Sequence, residues 1–431
     1  MTFQRPIILL LITFATFGVS FGQAVEKPQP AEADHAQLDD LRVRGYEALY
    51  SLDYDTANRL FKEMVRLFPD HPAGPQCLAA TLWLQELNRS RQRQASLYST
   101  ESFYTGDDKA DPHLVEQFRY WARTAKQLAE ARLKRNPRDV EALYFLGVTE
   151  GLKAVFAAAV ERRFMAALGD SSRAVDRHRE VLKLDPTFHD AELSMGMYDY
   201  IVGSLPLPIK MLASIGGVRG SRKRGLETLE RVAREGHWAR GIARLLLIDL
   251  YKREKRWTEA LAAARELSMK YPRNYLFQLQ AADALVERAN SAHHATGAAA
   301  SAGSADLDVA FRIFESLLHD RATGNASGSG RAVATDLIHF RYGEALLMAG
   351  QPQRATEEFQ AATRQIGGEP ALTTMARLRT AQSMDLAGRR REALAEYRAV
   401  LEASKSNKSY EEAKRGLSEP YRQPGHIQNE K

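Results

Sequence analysis

Residues 45–69 read GYEALYSLDYDTANRLFKEMVRLFP, and four positions in that stretch set the architecture: Gly45, Ala57, Phe61 and Pro69. The stretch reads as two helices. Gly45 on the first and Ala57 on the second allow close approach, Phe61 fills the space between them, and Pro69 ends the second helix. The same order returns as Gly343, Ala355 and Phe359 in GEALLMAGQPQRATEEF, then as Ala381, Ala393 and Tyr397 in AQSMDLAGRRREALAEY. A unit recurring at this period is one helix pair of a stack, each pair burying its apolar face against its neighbours.

These spacings resemble the tetratricopeptide repeat at its most restrictive positions. The resemblance covers most of 38–405 and is strong for the first, fifth, seventh and eighth pairs, the fifth carrying Tyr251, Trp257, Ala260 and Pro272. It implies an all-α solenoid, a right-handed superhelix of about eight helix pairs, that binds an extended peptide or helix along a concave face lined by the first helix of each pair. Pro137 and Pro186 end helices at pair boundaries. The third pair reads as an unusually long first helix around Gly147, running through FMAAL, and a second helix with Ala174. The sixth pair is interrupted by SAHHATGAAASAGSAD and followed by RATGNASGSG, both read as mobile tracts. SYEEAKRGL reads as a final capping helix.

The expected organisation is a signal peptide at 1–22, a linker at 23–37, N-terminal and central pairs over 38–290 and a pair with flexible Ala/Gly/Ser tracts at 291–332. C-terminal pairs with the cap follow over 333–418, and a disordered tail at 419–431. The leader reading rests on Arg5, the apolar PIILLLITFATFGVSFG, and Ser20 and Gly22 at the −3 and −1 positions before Gln23. It places the chain outside the cytoplasm, in a bacterial periplasm or secreted; an uncleaved anchor is the rival reading. Cys77 is the sole cysteine in 431 residues, so it forms no internal disulfide and is expected in a helix core.

Composition excludes little but orders the options. The apolar share is 44% and the formal charge only +6, with both signs interspersed as on solvated helix faces. No recognition module or aromatic–basic motif supports a nucleic-acid partner. No H-E-x-x-H, C-x-x-C, G-x-S-x-G or phosphate loop is present. No catalytic, cofactor-binding or metal-binding residue is therefore assigned, and His293 with His294 in an Ala/Gly loop lack a third ligand. His178 and His189 flank a pair boundary, as packing or surface residues.

Function is then expected in binding. Aligning each first-helix glycine with the repeat puts Arg42 and Tyr46, Tyr144, and Phe340 with Glu344 at partner-groove positions. The asparagine that a carboxylate-gripping subgroup carries directly after the glycine is missing each time. Tyr46 and Tyr144 fit an aromatic groove or a core equally; Phe340, without a polar tip, is better placed in the core.

One segment departs from the repeat: 194–236, with a break at Pro206, an apolar restart, glycines 216 and 217, and a basic run. Leu205, Pro206, Ile215, Gly216, Gly225 and Leu226 resemble the middle of the tetratricopeptide repeat 39 and fungal inclusion-body clearance family. That family's members are intracellular eukaryotic adaptors, so what carries over is architectural: an apolar hairpin, here 203–224, inserted within one repeat. Leu205, Leu207, Ile209, Met211, Leu212 and Ile215 then plug the superhelix. Alternatively they join Arg219, Arg222, Lys223 and Arg224 in touching an anionic membrane or an acidic partner.

Overall fold

The computed structural model describes residues 30–89, 111–205, 207, 210–211, 219–292, 298–322, 335–364, 370–403 and 408–422. Among the described residues there are seventeen α-helices, one short 3-10 turn and no strand. They form eight pairs: α1 (Pro30–Tyr50) with α2 (Tyr54–Leu67), α3 (Ala73–Arg89) with α4 (Pro112–Arg135), α5 (Val140–Ala159) with α6 (Phe164–Leu184), and α7 (Glu192–Ser204) with α8 (Arg222–Glu235). Next come α9 (Arg240–Arg253) with α10 (Trp257–Lys270), and α11 (Tyr275–Ala292) with α12 (Ala298–Ala322). The last pairs are α13 (Thr335–Met348) with α14 (Pro352–Thr363), and α15 (Pro370–Leu386) with α16 (Arg390–Ala403); α17 (Lys408–Ser418) caps the end. The fold is an all-α solenoid.

Each helix packs on its chain neighbours, and first helices also touch the first helices of adjacent pairs: α1 with α3, α3 with α5, α5 with α7, α11 with α13, α13 with α15. First helices thus form one layer and second helices the other. Local chemistry sets the helix starts. The Asp53 side chain accepts from the Thr56 amide at 3.1 Å, and Asp139 caps α5 through the Ala142 amide at 2.9 Å.

The contact that locks a pair is a ring seated on a glycine. A Cβ built on Gly45 would stand 2.2 Å from Phe61, and one on Gly343 would stand 2.7 Å from Phe359. Both rings are fully buried, each burial contributing roughly 2–3 kcal/mol. The third pair uses the same device, and so does the joint between the eighth pair and the capping helix. His178 replaces the phenylalanine over Gly147, at 2.4 Å from its built Cβ, and Tyr397 lies against Gly416 of the capping helix at 2.4 Å. In five of the pairs the described connection passes through one left-handed residue, Gly350 (φ 70°) or Gly388 (φ 75°) in the last two. Leu52, Arg162 and Lys255 take the same turn without glycine.

Several expectations need correction. α1 begins at Pro30, inside the segment 23–37 read as a linker, because Pro30 suits the first helical turn and nothing after it breaks the helix. The long first helix of the third pair stops at Ala159. The chain turns through Arg162, where the Arg163 amide donates to the Ala157 carbonyl, so FMAAL opens the second helix. The helices of that pair run 20 and 21 residues against 14 and 14 in the fifth pair, a gain of about two turns each. The alanine-rich residues 298–304, read as a mobile tract, belong to α12. Tyr421, in the segment read as a disordered tail, donates its amide to Asp385 at 2.8 Å. The leader 1–22, residues 90–110, His293, His294 and the tract at 323–334 lie outside the described residues.

One set of contacts links the first pair to the fourth and fifth. Asp39 on α1 accepts from Trp238 Nε1 at 2.7 Å and sits 3.0 Å from His237 Nε2. Asn274 Nδ2 donates to the Tyr50 carbonyl at 2.7 Å, and the Tyr50 and Tyr271 rings lie 5.5 Å apart.

Candidate functional site

The layer of first helices carries a continuous polar ladder across the last four pairs. Lys252 on α9 donates to Gln280 at 2.8 Å and lies 3.4 Å from Asp283, both on α11. Arg341 on α13 reaches Asp283 at 3.0 Å and Glu344, on its own helix, at 2.6 Å. Arg379 on α15 lies 3.6 Å from Glu344 and donates to Gln382, which donates to Glu412 on α17. The ladder is sealed at one end and open at the other: side-chain exposure rises from 3% at Asp283 to 23% at Glu344 and 33% at Arg379.

Burial decides the charges at the sealed end. It pushes Lys252 down, against the pull of Asp283 and Asp249, and pushes the Asp249 and Glu287 carboxyls up. Asp283 is held by Lys252 and Arg341, and Glu344 by Arg341 and Arg379, so the ladder fixes the relative placement of four helices. The sequence reading reached Glu344 but missed Arg341, Arg379, Asp283 and Lys252. Their signal was present: charged residues interrupting otherwise apolar first helices, such as Arg341 two positions before Gly343 and Glu344 one after. Phe340, aligned to a groove position, is instead core; it is 1% exposed and packs on Phe359 with centroids 5.7 Å apart.

The other three groove candidates come together at the opposite end. Arg42 is buried, with its guanidinium carbon 5.1 Å from the ring centroids of both Tyr46 and Trp238. The Tyr144 ring lies 5.3 Å from Trp238 and 5.0 Å from Phe188. Tyr144 is core, its phenol raised by burial, while Tyr46 is half-buried. Trp238, the ring that gathers this cluster, sits in the α8–α9 connection and has no repeat signature.

The hairpin is described only in part. Ile209, Leu212, Ile215 and Gly216 lie outside the described residues, but Leu207 and Met211 are 74% and 63% exposed, so neither plugs the superhelix. Of the basic run, Arg224 makes a double contact to Asp199 at 2.5 and 2.7 Å and Arg222 reaches Glu254 at 3.3 Å. All four cations are exposed, and Lys223 makes only a 3.9 Å contact to Glu227 on its own helix. Among the described residues no three His, Cys, Asp or Glu side chains converge on a metal-sized site. Helix α5 is long and apolar enough to cross a membrane, yet most of it is buried against other helices, as in a protein core.

The ring-on-glycine pairs and the layer of first helices decide the architecture. The stack is tetratricopeptide-like. No protein-family model and no curated protein matches the chain. Similar solved structures include the human IFIT1 dimer with m7Gppp-AAAA, 12% identical, with 88% of this chain and 85% of that chain covered and a TM-score of 0.46. Yeast Tom70 is 11% identical, with 86% and 85% covered and a TM-score of 0.36. TTC0263, a thermophilic tetratricopeptide repeat protein of Thermus thermophilus, is 19% identical over 59% of this chain and 99% of that chain, with a TM-score of 0.31.

Proposed function

We propose that this tetratricopeptide-like chain is an exported, non-enzymatic scaffold that binds a protein or peptide along the concave layer of its first helices. The observation that carries this reading is the ladder from Lys252 to Arg379. It crosses four successive first helices, alternates in sign, and opens to solvent at Glu344 and Arg379. Alternating charge held on rigid helices gives a partner register and suppresses wrong ones more than it adds raw affinity. A photo-reactive phenylalanine analogue in place of Arg379 is expected to crosslink a protein partner in cells. The same analogue in place of Arg398, exposed on second helix α16, is expected not to. Equal crosslinking at both positions, or none at position 379, overturns the reading.

A second reading is favoured by the exposed pair Leu207 and Met211, four positions apart and close in sequence to exposed Arg219 and Lys223. Apolar side chains beside exposed cations suit an anionic membrane surface. Arg219 and Lys223 suit that role best, because Asp199 and Glu254 hold Arg224 and Arg222 while Lys223 has only a 3.9 Å contact to Glu227. Changing Leu207, Met211, Arg219 and Lys223 to serine is expected to abolish low-salt sedimentation with phosphatidylglycerol vesicles. Sedimentation unchanged by the four substitutions, or absent in the unaltered protein, rejects the membrane role.

A further inference from the structure

The first pair encloses a charge that the scaffold does not use. Arg42 lines a cavity of about 300 Å³ between α1, α5 and the α8–α9 connection, with Leu38, Phe145 and Trp238 as apolar walls. It is 6% exposed and its buried Nε has no hydrogen-bond partner. A guanidinium keeps its charge in any protein environment. Isolated in the interior, such an ion carries a desolvation penalty of several kcal/mol unless an opposite charge faces it.

Here none does. Among the described residues no carboxylate pairs with Arg42. The two carboxylates on the cavity wall are committed elsewhere: Asp39 to Trp238 at 2.7 Å and His237 at 3.0 Å, Glu141 to Arg132 at 3.0 Å and His71 at 3.2 Å. The remaining neighbours are neutral. Burial pushes the Cys77 thiol up to about 11 and raises the phenols of Tyr46, Tyr50 and Tyr144. The faces of Tyr46 and Trp238 offset part of the cost, by about 2 kcal/mol each when desolvated. A ring face supplies no acceptor for the unpartnered Nε.

We propose that this cavity binds a small organic monocarboxylate with an apolar or aromatic body. The planar carboxylate matches the planar fork of Arg42. Leu38, Phe145 and Trp238 take the apolar body, and the volume sits at the small end of ligand sites, about 300 Å³ and upward. Asp39 and Glu141 on the same wall select against a second negative charge, so a phosphate dianion is excluded by repulsion. The site is independent of the polar ladder, which lies on the last four pairs.

The experiment is calorimetric titration of the full chain with 3-phenylpropionate, its neutral isostere 3-phenylpropan-1-ol, and inorganic phosphate. The acid is expected to bind, and the alcohol and phosphate to bind at least tenfold more weakly. Arg42→Met keeps the apolar stem and is expected to weaken the acid at least tenfold. Ala36→Phe, at an exposed position on the cavity rim, is expected to do the same by blocking entry while leaving the core untouched. It decides the matter if Arg42→Met does not fold. Equal binding of acid and alcohol, equal binding of acid and phosphate, or affinity unchanged in the folded variants overturns the proposal. So does the absence of acid binding up to about 10 mM, weaker than any useful affinity.

Discussion

Replacing Asp385 by alanine is expected to unfasten the C-terminal end of the stack. The Asp385 side chain is completely buried and accepts from Arg390 at 3.0 Å, from the Tyr397 hydroxyl at 2.9 Å and from the Tyr421 amide at 2.8 Å. Arg390 also donates to the Leu417 carbonyl at 3.1 Å, which ties α16 to the capping helix. Alanine leaves a guanidinium, a phenol and an amide without their common acceptor. Removing one partner of a buried charged network costs about 3–5 kcal/mol. The C-terminal helices pack on their chain neighbours, away from the contacts that tie the first pair to the fourth and fifth, so that loss stays local. Hydrogen exchange over 390–422 is expected to accelerate by two orders of magnitude or more, with α1 to α3 unchanged. Asp385→Asn, which keeps an acceptor, is expected to recover part of the protection. Unchanged exchange at 390–422 in the alanine variant contradicts this account.

The second large effect is set by pH. Burial pushes His178 down to about 4, against the hydrogen bond to the Tyr144 carbonyl at 3.1 Å. A carbonyl only accepts, so Nε2 carries the proton and Nδ1 accepts from the Ser194 hydroxyl at 2.6 Å. An unfolded histidine titrates near 6.5. Between 6.5 and 4 the unfolded chain binds a proton that the folded chain refuses. The stability held above pH 6.5 is therefore lost as pH falls to about 4, by about 3 kcal/mol in all. Urea unfolding at pH 7.5, 5.5 and 4.5 is expected to show most of this drop. His178→Phe keeps a ring over Gly147 and is expected to flatten the dependence across that window. A slope that survives in the phenylalanine variant places the titrating group elsewhere. A further loss is expected in both proteins below about pH 4.5. Burial would raise Glu141, but His71 and Arg132 hold it down at about 2, so its contribution disappears as that carboxyl takes up a proton.

The parts of the fold that were legible in the sequence are those that a repeat states twice. Gly45 with Phe61 and Gly343 with Phe359 are the same sentence at two places, and periodicity exposes them. Ala174 with His178 is the same arrangement with a polar ring, so a search for aromatics leaves His178 without a role. Gly416 escapes because its ring, Tyr397, lies on the preceding pair. The third pair misleads because Arg162 makes the left-handed turn without the glycine that marks it at Gly350 and Gly388.

The candidate site residues divide in the same way. Repeat alignment reached Arg42, Tyr46, Tyr144 and Glu344, since an offset from a glycine can be counted. It placed Phe340 on the same offset, and packing against Phe359 took that residue inward. The ladder and the cavity around Arg42 depend on which helices become neighbours in space. Trp238 and Asp39, nearly two hundred positions apart, have no local pattern that joins them.

The contacts between α1 and the connections near Trp238 and Asn274 have a mechanical consequence. A stack of neighbours is a spring, free to lengthen by small rotations at every joint. Here the Asn274 bond to the Tyr50 carbonyl spans 224 positions, and it clasps the first five pairs into a loop. Tension on the chain must open that clasp before the first five pairs can stretch, whereas beyond the fifth it meets the rungs of the charge ladder one joint at a time. The amino-terminal pairs resist as one closed collar, and the later pairs resist joint by joint.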